Sequence, residues 1–268
     1  MYTSRSLNRI LVPQILLILI SGLLFNGCAI YYPQTTDIPL IKEKKELRVD
    51  GGISLFPAIN GTVSYGLTDK IAVQLSGNLM PGAAHYSNPL FQYLINGAVG
   101  YYKYNPTNNW TKELYVGIGN GYSTVYDYTY HSGTLLGNYQ VYYVQGNIGR
   151  RGIKHKFFEY AFGLKLGLMN SHFAVQDVYD LGSPSNGLYT LKTGHIFNKL
   201  IGFIEPAFSI KLGSDRLMFN IKPSFCYMKQ ISNNIDQFTN EYTHYDNHYN
   251  YPYLPFGIGF SLNYRFSK

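Results

Sequence analysis

The sequence predicts an all-β fold, a closed antiparallel transmembrane β-barrel of about ten strands. Three observations predict it: the composition, an alternation of apolar residues that repeats along the chain, and connections that alternate between short and long. The 268 residues include 27 Tyr, 16 Phe and 27 Gly, and only 14% are charged. This composition is rich in strand formers and poor in helix formers, so it favours an all-β fold.

The start of the chain is a targeting segment and is not read as part of the fold. Arg5 and Arg9 precede an apolar run over 10–25, which is the order of charge and apolar residues in a secretory signal. The run is shorter than the ~20 residues that a spanning helix needs. Residues 1–27 are therefore predicted to be removed from the mature protein.

The end of this segment, Gly27-Cys28, resembles the lipobox of bacterial lipoproteins, although Asn26 stands where a small apolar residue is usual. The resemblance implies a lipoprotein signal peptide over 1–27, an acylated Cys28 and a lipidated periplasmic linker over 28–45. An ordinary or uncleaved secretory signal is the alternative. If Cys28 is acylated, Cys226 is the only other cysteine, and no intrachain disulfide can form.

The strands are predicted from alternation with a period of two, because successive side chains of a strand point to opposite faces. The last strand shows it most clearly, since YLPFGIGFSLNYRF (253–266) alternates large apolar residues with Gly, Ser, Asn and Arg. The same pattern predicts ten strands, over 46–56, 58–67, 70–80, 91–104, 112–130, 137–150, 155–173, 197–213, 215–230 and 252–267.

The individual strands differ in how strongly they alternate. The first and third, LRVDGGISL (47–55) and IAVQLSGNL (71–79), are shorter patterns in the same phase. The seventh, eighth and ninth contain the stronger repeats FFEYAFGLKLGL (157–168), LIGFIEPAFSIKL (200–212) and LMFNIKPSFCYM (217–228). The fifth, 112–130, is longer than the ~9–11 residues that cross a bilayer, so its end is expected to project above the membrane.

The connections between strands alternate in length. Short turns are predicted at 68–69, 105–110, 151–154 and 213–215, and longer loops at 80–90, 131–136, 174–196 and 231–251. Short turns at one end, long loops at the other and an even strand number are typical of a transmembrane barrel. Residues 174–196 leave room for one further hairpin.

The two faces of the strands indicate which side meets lipid. The second parity consists mostly of Gly, Ala, Ser, Thr and Asn, which is too small and too weakly charged for a solvated surface. Small residues suit the interior of a narrow barrel, so the apolar parity is expected to face lipid. Because unpaired backbone groups in hydrocarbon are costly, the last strand should pair with the first, which places both termini on the short-turn side.

With these features, residues 46–268 resemble the small outer-membrane β-barrel proteins of Gram-negative bacteria. The last strand, with Tyr264 and Phe266 near its end, is similar to the signal that the barrel-assembly machinery reads, although Ser267 and Lys268 follow it. The resemblance implies an integral outer-membrane location, contact with outer-membrane lipid and with the assembly machinery, and an N-terminus anchored by lipid on the periplasmic side.

Several charged residues fall on the inward parity of the predicted barrel. Because charges in a narrow interior need partners, contacts are predicted within the sets Lys165–Glu205–Lys222 and Glu159–Lys211. A third set, Arg48, Asp50 and Arg265, is expected at the seam between the first and last strands. These ion pairs are interpreted as a structural plug of the lumen, and a selectivity ring along a narrow solute path is the alternative.

One histidine cluster lies in the last long loop. In HYDNH, His244, Asp246 and His248 occupy alternate positions, so an extended segment would present all three on one face. The spacing suits a transition metal or a His–Asp hydrolytic pair, but a solvated loop is the favoured interpretation. The chain contains no Ser-centred elbow, HExxH or phosphate loop, so no enzyme activity and no cofactor are predicted.

These features favour a structural, accessory or surface-binding role, with another outer-membrane protein as a candidate partner. A narrow passive channel and a rim-sited hydrolase are the alternatives. The formal charge of +7 does not indicate nucleic acid, because the basic residues form no stripe with base-stacking spacing.

Overall fold

The fold was analysed in a computed structural model, which describes residues 31, 38–54, 58–81, 84–85, 88–89, 91–127, 133–153, 158–179, 190–214, 216–234 and 256–266. These residues form an all-β structure without a helix. Ten antiparallel strands close into a barrel, as the sequence predicts. A separate two-residue pairing joins Ala84–His85 to Asn88–Pro89.

The barrel strands are numbered in chain order. They are β1 (Leu47–Ser54), β2 (Ile59–Gly66), β3 (Ile71–Met80), β4 (Phe91–Asn105), β5 (Trp110–Asp127), β6 (Gly133–Ile153), β7 (Phe158–Tyr179), β8 (Thr190–Gly213), β9 (Leu217–Phe225 and Tyr227–Asn234, on either side of Cys226) and β10 (Phe256–Phe266).

Closure occurs where β1 pairs with β10, in a register that runs from Leu47 opposite Phe266 to Ser54 opposite Gly259. The predicted pairing of the first and last strands is therefore confirmed. The start of β1 and the end of β10 share one end of the barrel with the turns 67–70 and 106–109. We call this the short-turn end and the opposite one the long-loop end.

The main difference from the predicted strands is that β6, β7 and β8 are longer at the long-loop end. β7 continues to Tyr179 and β8 starts at Thr190, and these two residues pair with each other. The described part of 174–196 therefore extends two existing strands and adds no hairpin. β6 similarly starts at Gly133, within the predicted loop 131–136. These extensions do not alternate between apolar and polar residues, so the pattern does not predict them. Backbone pairing with the neighbouring strands holds them.

The two parities divide between the outside and the inside as predicted. Large apolar side chains are exposed on the outer face, including Ile53 (61%), Leu75 (58%) and Val116 (57%). Polar and charged side chains are buried on the inner face, including Arg48, Asp50 and Lys165. Large apolar side chains also lie inside, among them Tyr139, Phe173 and Phe203, so the exposed apolar outer face and the buried charges are what distinguish this barrel from a soluble one.

Two adjacent glycines at the seam test how tightly the barrel closes. A Cβ at Gly52 would lie 2.0 Å from the Phe260 carbonyl oxygen, whereas a Cβ at Gly51 would meet nothing within 4 Å. We expect Gly52→Ala to lower the free energy of unfolding by about 1–3 kcal/mol, as overpacked sites do. Gly51→Ala is the matched control. Denaturant unfolding measures both, and equal effects of the two changes would contradict this account of the seam.

Candidate functional site in the barrel lumen

The lumen contains part of the chain that precedes β1. Ile38, Leu40 and Ile41 are 0% exposed and Tyr31 is 1% exposed, although none of them belongs to a barrel strand. We call Tyr31 and residues 38–46 the plug segment. The sequence predicts a periplasmic linker over 28–45, and the structure instead places its described residues 31 and 38–41 inside the barrel. Apolar side chains on this segment explain the difference, because the lumen offers them a dry surface.

The base of the plug segment is fixed to the short-turn end. The Lys45 N–H donates to the Gly66 carbonyl at 2.7 Å, and the Gly66 N–H donates to the Glu46 carbonyl at 3.0 Å. Leu40 and Lys45 have positive φ angles of 53° and 67°. Such a backbone costs a non-glycine residue roughly 1–2 kcal/mol and persists where surrounding contacts determine it. The base is therefore held in one specified conformation.

Apolar and polar contacts hold the next part of the plug segment. Ile41 packs with the buried Ala72, Tyr102 and Tyr115, and its N–H donates to Glu113 Oε1 at 2.7 Å. Asn147 Nδ2 donates to the other oxygen of the same carboxyl group at 2.9 Å. Since a buried carboxyl group needs hydrogen-bond donors, Glu113 is satisfied only in part by the barrel, and the plug segment contributes the shorter bond.

Four charged side chains form a closed network at the base. Arg48 Nε lies 2.9 Å from Glu46 Oε1, and Arg48 Nη1 lies 3.3 Å from Glu159 Oε2. Arg151 bridges the same two carboxylates, with Nη2 3.1 Å from Glu46 and Nε 3.1 Å from Glu159. Arg151 Nη1 also donates to the Leu40 carbonyl at 2.9 Å. The network therefore joins the plug segment to β1, β6 and β7.

The buried carboxylate of Glu46 makes the stability of the fold sensitive to acid. Burial alone would raise the pKa of this carboxyl, but Arg48, Arg151 and the Lys42 N–H lower it from 4.5 to about 2. A lowered pKa stabilises the folded state above the unfolded value, and the contribution is lost as the pH falls towards the folded value. Between pH 5 and pH 2 we expect the free energy of unfolding to fall by up to about 3 kcal/mol through this group.

The measurement is denaturant unfolding across this pH range for the wild type, Glu46→Gln and Glu43→Gln. Glu46→Gln removes the titrating carboxyl and should flatten this part of the pH dependence. Glu43 is exposed, so its replacement is the control and should leave the dependence in place. An unchanged pH dependence in Glu46→Gln would refute the assignment.

The upper part of the plug segment contacts strands β7 and β8. Lys211 Nζ donates to the Ile38 carbonyl at 2.8 Å. A Cβ at Gly163 would lie 2.9 Å from Ile38 Cδ1, so the absence of a side chain at Gly163 provides the space for Ile38. The Tyr31 hydroxyl donates to Glu205 Oε2 at 3.0 Å, and its ring lies 5.7 Å from the Phe203 ring.

A second buried cluster surrounds Asp50 near the seam. Lys222 Nζ lies 2.6 Å from Asp50 Oδ1, and the Ser261 hydroxyl donates to Oδ2 at 2.8 Å. Asn220 and Asn263 donate to Oδ2 at 3.4 and 3.5 Å. These bonds join β1, β9 and β10, so the cluster supports closure of the barrel.

The predicted lumen charges lie on the inner face of the barrel, and two of the predicted pairs are cross-strand neighbours on β7 and β8. Lys165 stands opposite Glu205, and Glu159 opposite Lys211, on the paired β7 and β8. The ammonium of Lys165 lies 4.3 Å from the centroid of the Tyr143 ring.

At the seam, Arg48 stands opposite Arg265 in the β1–β10 register. Lys222 ion-pairs with Asp50, and Arg48 ion-pairs with Glu46 and Glu159. Cross-strand neighbours follow from sequence position, whereas Arg48–Glu159 and Asp50–Lys222 join strands that are not adjacent, so these pairs depend on the curvature of the barrel.

Sequence reasoning missed four groups of this site, Tyr31, Glu46, Glu113 and Arg151. Glu46 shares the inward parity of Arg48 and Asp50, so extending the alternation by one residue would have identified it. The sequence predicts a turn over 151–154, whereas the structure places Arg151 within β6. Tyr31 gave no signal, because the plug segment has no strand or helix periodicity.

The remaining predicted residues fall outside the lumen or outside the described residues. His244, Asp246 and His248 lie in 235–255, and Cys28 lies in 1–30, which the structure does not describe. Tyr264 and Phe266 end β10 on its outer face, with ring centroids 4.5 Å apart. Within the described ranges no group of three metal-ligating side chains occurs, and none of their segments is a helix able to span a bilayer.

No family model matches this chain, and no curated protein matches it. The geometry of the barrel and its lumen therefore carries the functional argument.

Proposed function

We propose that this protein is an outer-membrane β-barrel lipoprotein whose lumen is closed by its own N-terminal segment, and that it serves a structural, accessory or surface-binding role. The observation that carries the proposal is the inverted burial of the closed barrel, with exposed apolar side chains and buried charges. Acylation of Cys28, recognition of Tyr264 and Phe266 by the assembly machinery, and another outer-membrane protein as partner belong to the same proposal.

Aromatic side chains near both ends of the outer face support a membrane location. Phe91, Tyr93 and Tyr122 form one cluster, with ring centroids 6.0–6.4 Å apart. Trp110 and Tyr160 contact each other near the opposite end, with ring centroids 6.0 Å apart. At a rise of ~3.4 Å per residue and a tilt of ~40°, Trp110 and Tyr122 on β5 lie about 30 Å apart along the barrel axis. Aromatic residues favour both membrane interfaces, and this spacing matches the hydrocarbon core.

The filled lumen supports a role other than an open pore. The plug segment and the network of Glu46, Arg48, Arg151 and Glu159 occupy the short-turn half, and the Asp50 cluster occupies the seam. Among the described residues, the bore is occupied by buried side chains and by a chain segment, which favours a closed lumen over an open path for hydrated solutes. The alternative of a narrow channel would require movement of the plug segment. No observation on the described residues favours the hydrolase.

The test is reconstitution of the full-length protein into planar lipid bilayers, together with flotation of the protein with membranes. We expect the protein to float with the lipid and to show no conductance steps. A change in electrophoretic migration when the sample is heated provides the control that the barrel is folded. Steady conductance from the folded protein would favour the channel, and recovery without detergent in the aqueous fraction would refute the membrane proposal.

A further inference from the structure

The plug segment rises through the lumen from the short-turn end as the chain is followed back from β1. The position of each plug residue along the barrel axis is given by the β7 residue that lies at the same level. Glu46 lies at the level of Glu159, with which it shares Arg48 and Arg151. Leu40 and Ile38 pack with Ala161, and Ile38 also lies against Gly163. The order along the chain is therefore the order along the barrel.

Tyr31 lies highest of the described plug residues. It contacts Glu205 and Phe203, which stand opposite Lys165 and Gly167 of β7. Its ring also lies 6.4 Å from the ring of Tyr139. From Glu159 to Gly167, a rise of ~3.4 Å per residue at a tilt of ~40° gives about 20 Å along the axis. Tyr31 is thus about 20 Å above the network.

If the mature chain begins at Cys28, as the proposed function has it, the part that precedes Tyr31 is too short to return to the short-turn end. The residues from Cys28 to Tyr31 span at most about 10 Å at ~3.4 Å per residue, which is half of the distance to the level of Glu159. Turning back would also require this chain to pass Ile38, Leu40 and the charged network in the same bore. Tyr139 and Phe173, whose rings lie 6.3 Å apart, line the lumen on the long-loop side of Tyr31.

We propose that the N-terminal segment threads the barrel, so that residue 28 and any group attached to it lie at the long-loop end, opposite the end of β10. This inference rests on the proposed function for its biological meaning. The lipid on Cys28 would then enter the leaflet at the long-loop end, which is the outer leaflet if the short turns face the periplasm. The sequence alone favours the opposite side, because it places residues 28–45 outside the barrel.

Polar groups of the barrel wall hold the plug segment along this path. Arg151 and Lys211 bind the carbonyls of Leu40 and Ile38, and Glu205 and Glu113 accept from Tyr31 and Ile41. Two cations and two carboxyl groups of the barrel wall thus hold the backbone and the Tyr31 hydroxyl in one path. These contacts attach the plug segment to β5, β6 and β8.

The test compares the side of the membrane on which three epitope tags are exposed. One tag directly precedes residue 29 in a Cys28→Ala chain, the second is inserted in the short turn 106–109, and the third lies in the connection between β7 and β8. We expect the N-terminal tag to be exposed with the β7–β8 tag and not with the 106–109 tag. The reverse grouping, or no exposure of the N-terminal tag on the β7–β8 side, would overturn the proposal. Because only the grouping matters, the result does not depend on which end faces outward.

A pair of glycine variants tests whether the lumen contacts hold the plug segment in this path. Gly163→Leu places a side chain where Ile38 lies, whereas Gly146→Ala adds a Cβ that meets nothing within 4 Å. In Gly163→Leu the N-terminal tag should move to the side of the 106–109 tag, and in Gly146→Ala it should not. An N-terminal tag that stays on the β7–β8 side in folded Gly163→Leu would contradict the path.

A second measurement separates failure of this inference from failure of the proposed function. If the 106–109 and β7–β8 tags are not on opposite sides of a membrane, the membrane proposal fails. The path is then decided on purified protein, from the distance between nitroxides at Ile30→Cys and Thr107→Cys in a background that carries both Cys28→Ala and Cys226→Ala. A distance above about 20 Å agrees with the rise estimated along β7, and a shorter one overturns the threading.

Discussion

Deleting residues 29–42 is expected to convert a silent barrel into a conducting one. The deletion removes Tyr31, Ile38, Leu40 and Ile41, all of which are buried in the lumen. It leaves the wall groups that bind them, Glu113, Arg151, Glu205 and Lys211, facing an empty path. Water and small ions would enter, because each of these polar and charged groups loses one hydrogen-bond partner and lines a path that the plug segment no longer fills.

The measurement is single-channel recording of the deletion variant beside the full-length protein. The matched control is Tyr31→Phe, which loses the hydrogen bond to Glu205 but keeps the ring against Phe203, and it should stay silent. Heat-dependent migration again verifies that each variant is folded. A folded deletion variant without conductance would mean that the barrel side chains close the lumen by themselves.

The second large effect is expected from Glu159→Gln. This carboxylate bonds Arg48 at 3.3 Å and Arg151 at 3.1 Å, and its side chain is 3% exposed. Neutralising it leaves two buried guanidinium groups with Glu46 as their shared carboxylate partner in the network. Removing one partner from a buried ion pair costs about 3–5 kcal/mol, so the barrel should unfold at markedly lower denaturant concentration.

Two further variants test whether the loss arises from charge balance. Asp69→Asn neutralises an exposed turn residue and should change the free energy of unfolding by less than about 0.5 kcal/mol. The double variant Glu159→Gln with Arg151→Gln restores the balance and should recover part of the loss, as coupled sites do. A loss below about 1 kcal/mol for Glu159→Gln would contradict the role of the network.

The fold follows from the sequence because alternation reports it directly. Each strand of a two-faced barrel repeats its contrast of residues every second position, and the seam between β1 and β10 follows from the cost of unpaired edges. The extensions of β7 and β8, AVQDVY (174–179) and TLKTGHI (190–196), show no such contrast, so their full length required the structure. Backbone pairing that continues to Tyr179 opposite Thr190 holds them.

The lumen was predictable in character but not in detail. The inward parity assigned Lys165, Glu205 and Lys222 to the interior, and they are buried there. Their partners depend on strand stagger and curvature, which bring Asp50 of β1 to Lys222 of β9. The plug segment could not be read from any period, because its conformation is set by the surface that the closed barrel presents to it.

The central claim is that the apolar face of the barrel meets lipid, and paired spin labels on β3 test it most directly. Leu75 is 58% exposed on the outer face, and its neighbour Ser76 faces inward, where it accepts a hydrogen bond from Asn96. In reconstituted protein, a nitroxide at Leu75→Cys should collide readily with oxygen and rarely with a water-soluble nickel chelate, whereas one at Ser76→Cys should be shielded from both. Frequent collision of the Leu75 label with the nickel chelate, at the level of a label on the exposed turn residue Lys70, would contradict the account.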